Sequence, residues 1–237
     1  MSTLSVVIPT KNEEDYLPLL LASIKKQTFQ PKEVIVADAH STDHTSEIAK
    51  KAGARVVEGG MPGPGRNRGA KIATGDLLLF LDADVVLRDN EMLEKTLKEF
   101  ERQGLDIGTP LILPLSQKTI DIFFHKIYNR YVLFLGKHWP HAPGFFILVK
   151  RSVHEHIHGF DEQITLAEDH DYAMRAAKIG KFGIMKNIFV PVSVRRFDKD
   201  GRLTIAMKYF FGELHLIFLG PIKHNKFKYE FGYKKKP

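Results

Sequence analysis

Apolar residues in the first hundred positions come in two alternating kinds. Short runs rich in β-branched residues read as strands: LSVVIPT (4–10), EVIVAD (33–38), ARVVEG (54–59) and DLLLFLDAD (76–84). Between them lie segments with helical spacing. Residues 13–27 place Tyr16, Leu17, Leu20, Leu21 and Ile24 on one face, and residues 90–103 are amphipathic. Residues 43–51 form a short helix capped by Ser41, Thr42 or Asp43, with Gly53 after its end. GGMPGPG (59–65) reads as a loop, followed by a short helix from Arg66 to Thr74 that Gly75 stops.

The second half is less regular. Residues 106–115 and 145–150 read as strands, with an aromatic-rich helix over 119–135 between them. Helices follow at 168–179, which carries acids in its first turn, and at 203–219. Strands apolar on both faces, alternating with helices, specify an α/β fold with a mostly parallel sheet covered on both sides. Ligands of such sheets bind beyond the carboxyl ends of the strands. The polar ends here are Thr10-Lys11-Asn12, Asp38 and Asp82-Ala83-Asp84, so one rim collects them.

Composition narrows the chemistry. There is no cysteine, which excludes a disulfide framework and Cys-ligated metal. The N-terminus lacks the basic and apolar regions of a secretory signal, and no run reaches ~18 uninterrupted apolar residues. The net charge of +7 is concentrated at the end: six lysines against Glu230 after Pro221 leave the rest of the chain near +2. A nearly neutral body with a basic tail is not a nucleic-acid binder.

Four segments carry candidate chemistry. LFLDAD ends a strand in Asp-x-Asp, and alternation along the strand sends Asp82 and Asp84 to one side. Two convergent carboxylates favour a cation between them, and oxygen ligands suit Mg²⁺ or Mn²⁺. A solvated pair of acids is the bland alternative. Asp38, in ADAHSTD, can hold a base or ribose while the following trio caps the helix. GPGRNRGAK (63–71) offers close backbone approach, with Arg66 and Arg68 as phosphate or loop-positioning groups, yet it is no Walker loop. Glu168-Asp169 is either ordinary helix N-terminal charge or a general base. Histidines 138, 141, 170 and 215 are further metal ligands in principle, and the sequence selects none.

Taken in order, SVVIPTKNE (5–13), EVIVADAHSTDHT (33–45), GRNRGAKIATGDLLLFLDADV (65–85), PGFFILVKRSVHEHIHGFDE (143–162) and AEDHDYAMRAAKIG (167–180) resemble glycosyltransferase family 2. The resemblance implies a GT-A, Rossmann-like fold and an inverting, nucleotide-sugar-dependent hexosyl transfer. It implies nucleotide-sugar contacts by Pro9, Thr10, Asn12, Glu13, Asp38, Arg66, Asp82 and Ala83, with Asp38 on the base. Asp82 and Asp84 become metal ligands for Mg²⁺ or Mn²⁺, Asp84 the more direct, and Asp169 becomes the catalytic base. The donor implied is a UDP- or GDP-sugar. Ala39 and His40 stand where the family often has Asp and Gly, which leaves the base open. The Gln-x-x-Arg-Trp motif of processive synthases is absent, so one sugar per acceptor is expected.

This reading divides the chain into a catalytic domain over 1–200 and an amphipathic helix with a basic tail over 201–237. The domain splits into a nucleotide-binding half (about 1–104) and an acceptor half (about 105–200). RRFDKDGR (195–202) is expected to be a mobile loop, with Arg195 and Arg196 clamping the diphosphate or an anionic acceptor, or else simply solvated. The aromatic helix over 203–219 and the lysines after it suit an anionic membrane surface and a glycan or lipid-phosphate acceptor. A core helix or dimer interface is an equal alternative, and the oligomeric state stays open. The expected place is the cytoplasm, with peripheral contact at the inner face of the cell membrane. Two rival functions are a nucleotidyltransferase, for which an N-terminal glycine-rich loop is missing, and a non-catalytic membrane-surface module.

Overall fold

The computed structural model describes residues 2–136, 138–224 and 231–232. Its centre is a seven-stranded sheet. In chain order the strands are β1 (Leu4–Thr10), β2 (Glu33–Asp38), β3 (Arg55–Glu58), β4 (Leu77–Leu81), β5 (Ile107–Pro114), β6 (Phe146–Lys150) and β7 (Phe182–Val192). They lie side by side in the order β3-β2-β1-β4-β6-β5-β7. β6 runs antiparallel to β4 and β5, while the other pairs are parallel.

Period-two alternation builds two apolar layers from the same strands. Leu4, Val6 and Ile8 of β1 and Leu77, Leu79 and Leu81 of β4 face one layer. There they meet Leu17, Leu20, Leu21 and Ile24 of α1 (Leu17–Lys25) and Leu93, Leu97 and Phe100 of α4 (Met92–Arg102), with Ala49 of α2 (Thr45–Lys51). Val7, Leu78 and Phe80 face the other layer. It is closed by Ala70 of α3 (Pro62–Ile72), Val132 of α5 (Thr119–Leu135), Val153 of α6 (Arg151–His156) and Tyr172 of α7 (Glu168–Ala177). The uniform burial of β1 and β4 is therefore that of interior strands.

Four local expectations are corrected. The glycine- and proline-rich stretch 59–65 is not all loop, because α3 already begins at Pro62. Proline is pre-organised for a first helical turn, where its missing N–H costs nothing. Glycines within α3 allow the helix to lie close on the sheet: a Cβ at Gly69 would stand 2.4 Å from Val7 Cγ1. The fourth strand stops at Leu81, and residues 82–84 turn away from it. Residues 195–200 are a helix, α8 (Arg195–Asp200), rather than a loop. Helix α9 (Arg202–Leu219) follows directly. Arg202 anchors the junction by reaching the buried carboxylate of Asp121 at 2.7 and 3.0 Å. Finally, the cap of α2 is centred on His44, while Asp43 accepts the Thr45 N–H and Ser41 turns back to Asp38.

Strand β7 has no counterpart in the hydrophobic pattern. Its pairing with β5 slips after Pro110, so exposed Lys186 and Asn187 interrupt the alternation. The same strand ends beside the acidic turn, where Val192 bridges Val85.

The side chain of Phe80 is fully buried and meets Phe160 edge-on at 5.1 Å. Phe80→Ala is expected to lower unfolding free energy by about 3–5 kcal/mol in chemical denaturation. Phe134→Ala, at a position 87 % exposed, should change it by less than about 0.5 kcal/mol.

Candidate active site

The reversed direction of β6 is what completes the rim. β1, β2 and β4 arrive with their carboxyl ends, while β6 begins there, so Gly144 just before it faces the acids of β4. Among the described residues, three of the four non-glycine positions with left-handed backbone also sit on connections near this rim: Asn12, His40 and Ala167. Such conformations cost of order 1–3 kcal/mol and persist where surrounding contacts over-determine them. Ala167 immediately precedes Glu168 and Asp169, both of which are tied down.

Arg66 is the centre of one half of the site. It is 2 % exposed, and its guanidinium reaches Asp82 Oδ1 and Glu168 Oε1, each at 2.8 Å. It also donates to the Gly144 carbonyl at 3.2 Å and lies over the Phe160 ring at 5.3 Å. A Cβ at position 144 would sit 2.3 Å from Arg66 Nη2, so only glycine leaves room for the guanidinium. Asp169 is held on the opposite side of this turn. Its Oδ2 accepts the Gly144 N–H at 2.6 Å, and its Oδ1 accepts the His170 N–H at 2.9 Å. Burial raises the Asp169 carboxyl above its ordinary range, against the lowering effect of Arg66 and the two N–H donors. Glu168 is raised too, by burial and then by the charge of Asp169.

Arg195, at the start of α8, organises the other half. It binds Glu13 through both terminal nitrogens at 2.7 Å and places Nε 2.9 Å from Asp84 Oδ2. Its guanidinium stacks over Tyr16 at 4.6 Å. Burial raises the carboxyls of Glu13 and Asp84, with Arg195 opposing the shift in both. Arg196 also lowers Asp84 through its charge. A cleft of about 280 Å³ opens here, lined by Tyr16, Asp84, Ser193, Arg195 and Asp198 among others.

The third part is the β1–β2 edge. Thr10 and Asp38 are register partners, and the Thr10 hydroxyl donates to Asp38 Oδ1 at 3.1 Å. Asp38 further accepts from Ser41, and Asn12 Oδ1 accepts the Thr42 N–H at 2.9 Å. Pro9 is buried, with Gly65 of α3 packed close against it.

The expected site residues therefore fall into three neighbouring groups, with Arg66, Asp82 and Asp169 in one, Glu13, Asp84 and Arg195 in the next, and Pro9, Thr10, Asn12 and Asp38 in the last. Ala83, at 2 % exposure, belongs to the core between the two acids. Gly144 was not foreseen, because it acts through its main chain and its lack of a side chain. Among the described residues, His141 and His170 come together, His215 pairs with His224 at 3.2 Å, and His138 is exposed.

Five carboxylates (Glu13, Asp82, Asp84, Glu168 and Asp169) thus surround Arg66 and Arg195. Glu13, Asp84, Glu168 and Asp169 are raised chiefly by burial, with neighbouring acids adding to the shift and the arginines opposing it. Asp82 stays 36 % exposed and only its Oδ1 is bound by Arg66, so an oxygen-rich, partly open donor set is present. Those residues fit a hard divalent cation that shares its shell with phosphate and water.

A sheet of this order with acids and arginines on its carboxyl rim has the layout of a GT-A glycosyltransferase. The chain belongs to glycosyl transferase family 2, whose model matches residues 5–158. It is 37% identical over 110 residues to a 4,4'-diaponeurosporenoate glycosyltransferase of Staphylococcus haemolyticus, covering 43% of this chain and 29% of that protein. It is 30% identical over 208 residues to glycosyltransferase GlyG of Streptococcus pneumoniae, covering 74% and 66%. In fold it matches S. aureus TarS 1-349 in complex with UDP, with a TM-score of 0.64, 24% identity and coverage of 81% and 60%. A mannosyltransferase of Pyrobaculum calidifontis, in complex with GDP-Man and Mn²⁺, matches with a TM-score of 0.64 and 21% identity, over 80% of this chain and 56% of that one. The match spans less than a third of the diaponeurosporenoate enzyme's length.

Raised carboxyls at this rim would make the binding of a divalent cation there pH-dependent. Their folded values lie above the unfolded ones, so ionising them costs stability, and the cost appears as pH rises through the raised range. A divalent cation relieves that cost only when the groups are ionised. Mn²⁺ should therefore raise the melting temperature at neutral pH and lose this effect in acid, where protons occupy the same oxygens. In Asp84→Asn the Mn²⁺ shift should shrink at neutral pH, as differential scanning fluorimetry would show.

Proposed function

We propose that this protein is a metal-dependent, inverting glycosyltransferase that moves one sugar from a UDP- or GDP-sugar to an acceptor hydroxyl or phosphate. The observation that carries the reading is the joint placement of Asp169 and Asp82 around Arg66, with Asp169 raised in basicity. The β1–β2 edge supplies Thr10, Asn12 and Asp38 for the nucleoside. Asp82 and Asp84 would hold Mg²⁺ or Mn²⁺, which when bound neutralises charge on the departing diphosphate. Arg66 keeps Asp82 and Glu168 in place.

The step is a single in-line displacement. An acceptor oxygen attacks the anomeric carbon from the face opposite the nucleotide, and Asp169 takes its proton. The bond from that carbon to the diphosphate oxygen breaks as the new one forms, and the nucleotide leaves with the electron pair. A carboxyl with a raised pKa is the better proton acceptor for this task, provided it is ionised at the working pH. Arg195 is committed to Glu13 and Asp84, so its role is to position Asp84.

Asp169→Asn should lower kcat by about 10²–10⁴-fold. The thermal shift on adding UDP or GDP should stay near that of the wild type. Transfer at the wild-type rate in this variant would overturn the assignment, and retained binding without turnover separates an enzyme from a binding module.

The acceptor is proposed to be lipid-linked, reached from a membrane surface. Helix α9 buries Ile205, Gly212 and Leu216 but exposes Tyr209, Phe210, Phe211, Phe218 and Leu219. No described helix is long and apolar enough to cross a membrane, which suits contact with one leaflet. The lysines of the tail follow directly in sequence, and those after Lys223 lie outside the described residues. Removing all of 221–237 would confuse the test, because Ile222 is buried and bridges Leu166. Replacing Lys234, Lys235 and Lys236 with serine should weaken flotation with phosphatidylserine vesicles by about 1 kcal/mol per residue. Absence of vesicle binding by the wild type would sink the membrane contact.

A further inference from the structure

Next to Asp169 in the chain, His170 meets two side chains from separate parts of the molecule. His141 comes from the turn before β6, His170 from the first turn of α7 and Glu213 from the middle of α9. One donor atom from each lies within 4.8 Å of the others. None of the three takes part in the proposed transfer.

The proton inventory of this cluster calls for a cation. His141 Nδ1 lies 3.0 Å from the Trp139 carbonyl, an acceptor only, so Nδ1 carries a hydrogen. Its Nε2 then stands 3.1 Å from both oxygens of Glu213. In a neutral imidazole that arrangement turns a lone pair toward a carboxylate, which is repulsive unless a proton or a metal ion lies between them. Protonating His141 alone leaves the neighbour unresolved. The His170 ring is centred 4.2 Å from that of His141, and its Nδ1 is buried without a hydrogen-bond partner. A single metal ion would use the lone pairs of both imidazoles and one carboxylate oxygen together.

The surrounding contacts have the form of ligand support. Metal-bound histidines commonly donate their other ring N–H to a backbone carbonyl, as His141 does to Trp139. The carboxylate ligand is in turn held by donors: the Trp139 indole N–H reaches Glu213 Oε1 at 3.1 Å, and the Tyr131 hydroxyl bonds the same side chain. Two nitrogens and one oxygen suit Zn²⁺, whereas the all-oxygen set at Asp82 and Asp84 suits Mg²⁺ or Mn²⁺. We propose that His141, His170 and Glu213 form a second metal site, specific for zinc, that fastens α9 to the catalytic domain and positions Asp169. The site contributes three protein ligands and leaves a fourth position for solvent. Its effect on Asp169 follows from the chain: His170 is the next residue, and the turn that carries His141 also carries Gly144, so both N–H donors to Asp169 come from or beside a ligand-bearing segment.

This site goes beyond the sugar-transfer reading, and its test needs no turnover. Untagged protein is stripped with a chelator and titrated with Co²⁺, whose visible d–d absorption is intense in four-coordinate geometry. Zn²⁺ is then added in competition and bound metal is measured by mass spectrometry. The wild type and Asp84→Asn should each show the tetrahedral cobalt spectrum and retain one equivalent of zinc. Glu213→Gln and His170→Asn should weaken zinc binding by at least about 100-fold, since loss of a mere partner of a ligand costs up to that much. Far-ultraviolet circular dichroism and the UDP-induced thermal shift identify which variants are folded, and either folded ligand variant suffices. A wild type that binds no zinc, a hydrogen-bonded imidazolium–carboxylate pair only, would overturn the proposal. So would a cobalt spectrum lost in Asp84→Asn and kept in Glu213→Gln, which places the metal at the donor site.

Discussion

Burying a guanidinium costs several kcal/mol unless opposite charge and hydrogen bonds accompany it. Arg66 meets that condition with groups from three distant segments: Asp82 after β4, Gly144 before β6 and Glu168 at the start of α7. The arrangement also requires that position 144 have no side chain and that α3 lie tightly on β1. One cation thereby couples the end of β4 to the segments around β6 and α7 that hold Asp169. Its removal would leave Asp82, Glu168 and Asp169 facing one another uncompensated.

Arg195 repeats the device at lower burial. Glu13 follows β1, Asp84 follows β4, and Arg195 follows β7, so the ion pair ties three strand ends together. The two arginines neutralise part of the acid cluster and leave an excess of negative charge. That residue of charge supports the proposed binding of a divalent cation together with a diphosphate, since each would compensate the other in a partly dry site. Burial, assisted by the neighbouring acids and opposed by the two arginines, holds four of the five carboxyls above their ordinary range.

Much of the fold was legible because its signals are local. β1, β2 and β4 are apolar runs of strand length, and α1 and α4 carry helical spacing, so burial follows from pattern alone. Segments whose form depends on a partner were not legible. The start of α3 was hidden by glycines that weaken a helix in isolation and are present because Val7 and Pro9 approach so closely. β7 was hidden by a bulge, which breaks alternation without breaking pairing. α8 read as a mobile basic loop, its arginines either clamping an anion or solvated, because Arg195 finds its carboxylates 182 and 111 positions away in sequence, at Glu13 and Asp84.

The same division holds for chemistry. The sequence by itself determined which residue types stand at the strand ends, since an apolar run must end where the sheet meets solvent: Thr10, Asp38, Asp82 and Asp84. It also singled out Glu168-Asp169 as a candidate, by resemblance. Only the tertiary structure decided which charges pair. Each carboxylate could have met solvent, metal or any of several arginines, and energies at these distances depend on burial and separation that no spacing encodes. The strand ending in Asp-x-Asp was expected to send both acids to one side. Instead the chain turns after Leu81, and the two acids meet different guanidinia. His141, His170 and Glu213 show the limit most plainly. They are separated by 29 and 43 positions, and nothing but the docking of α9 brings their donor atoms together.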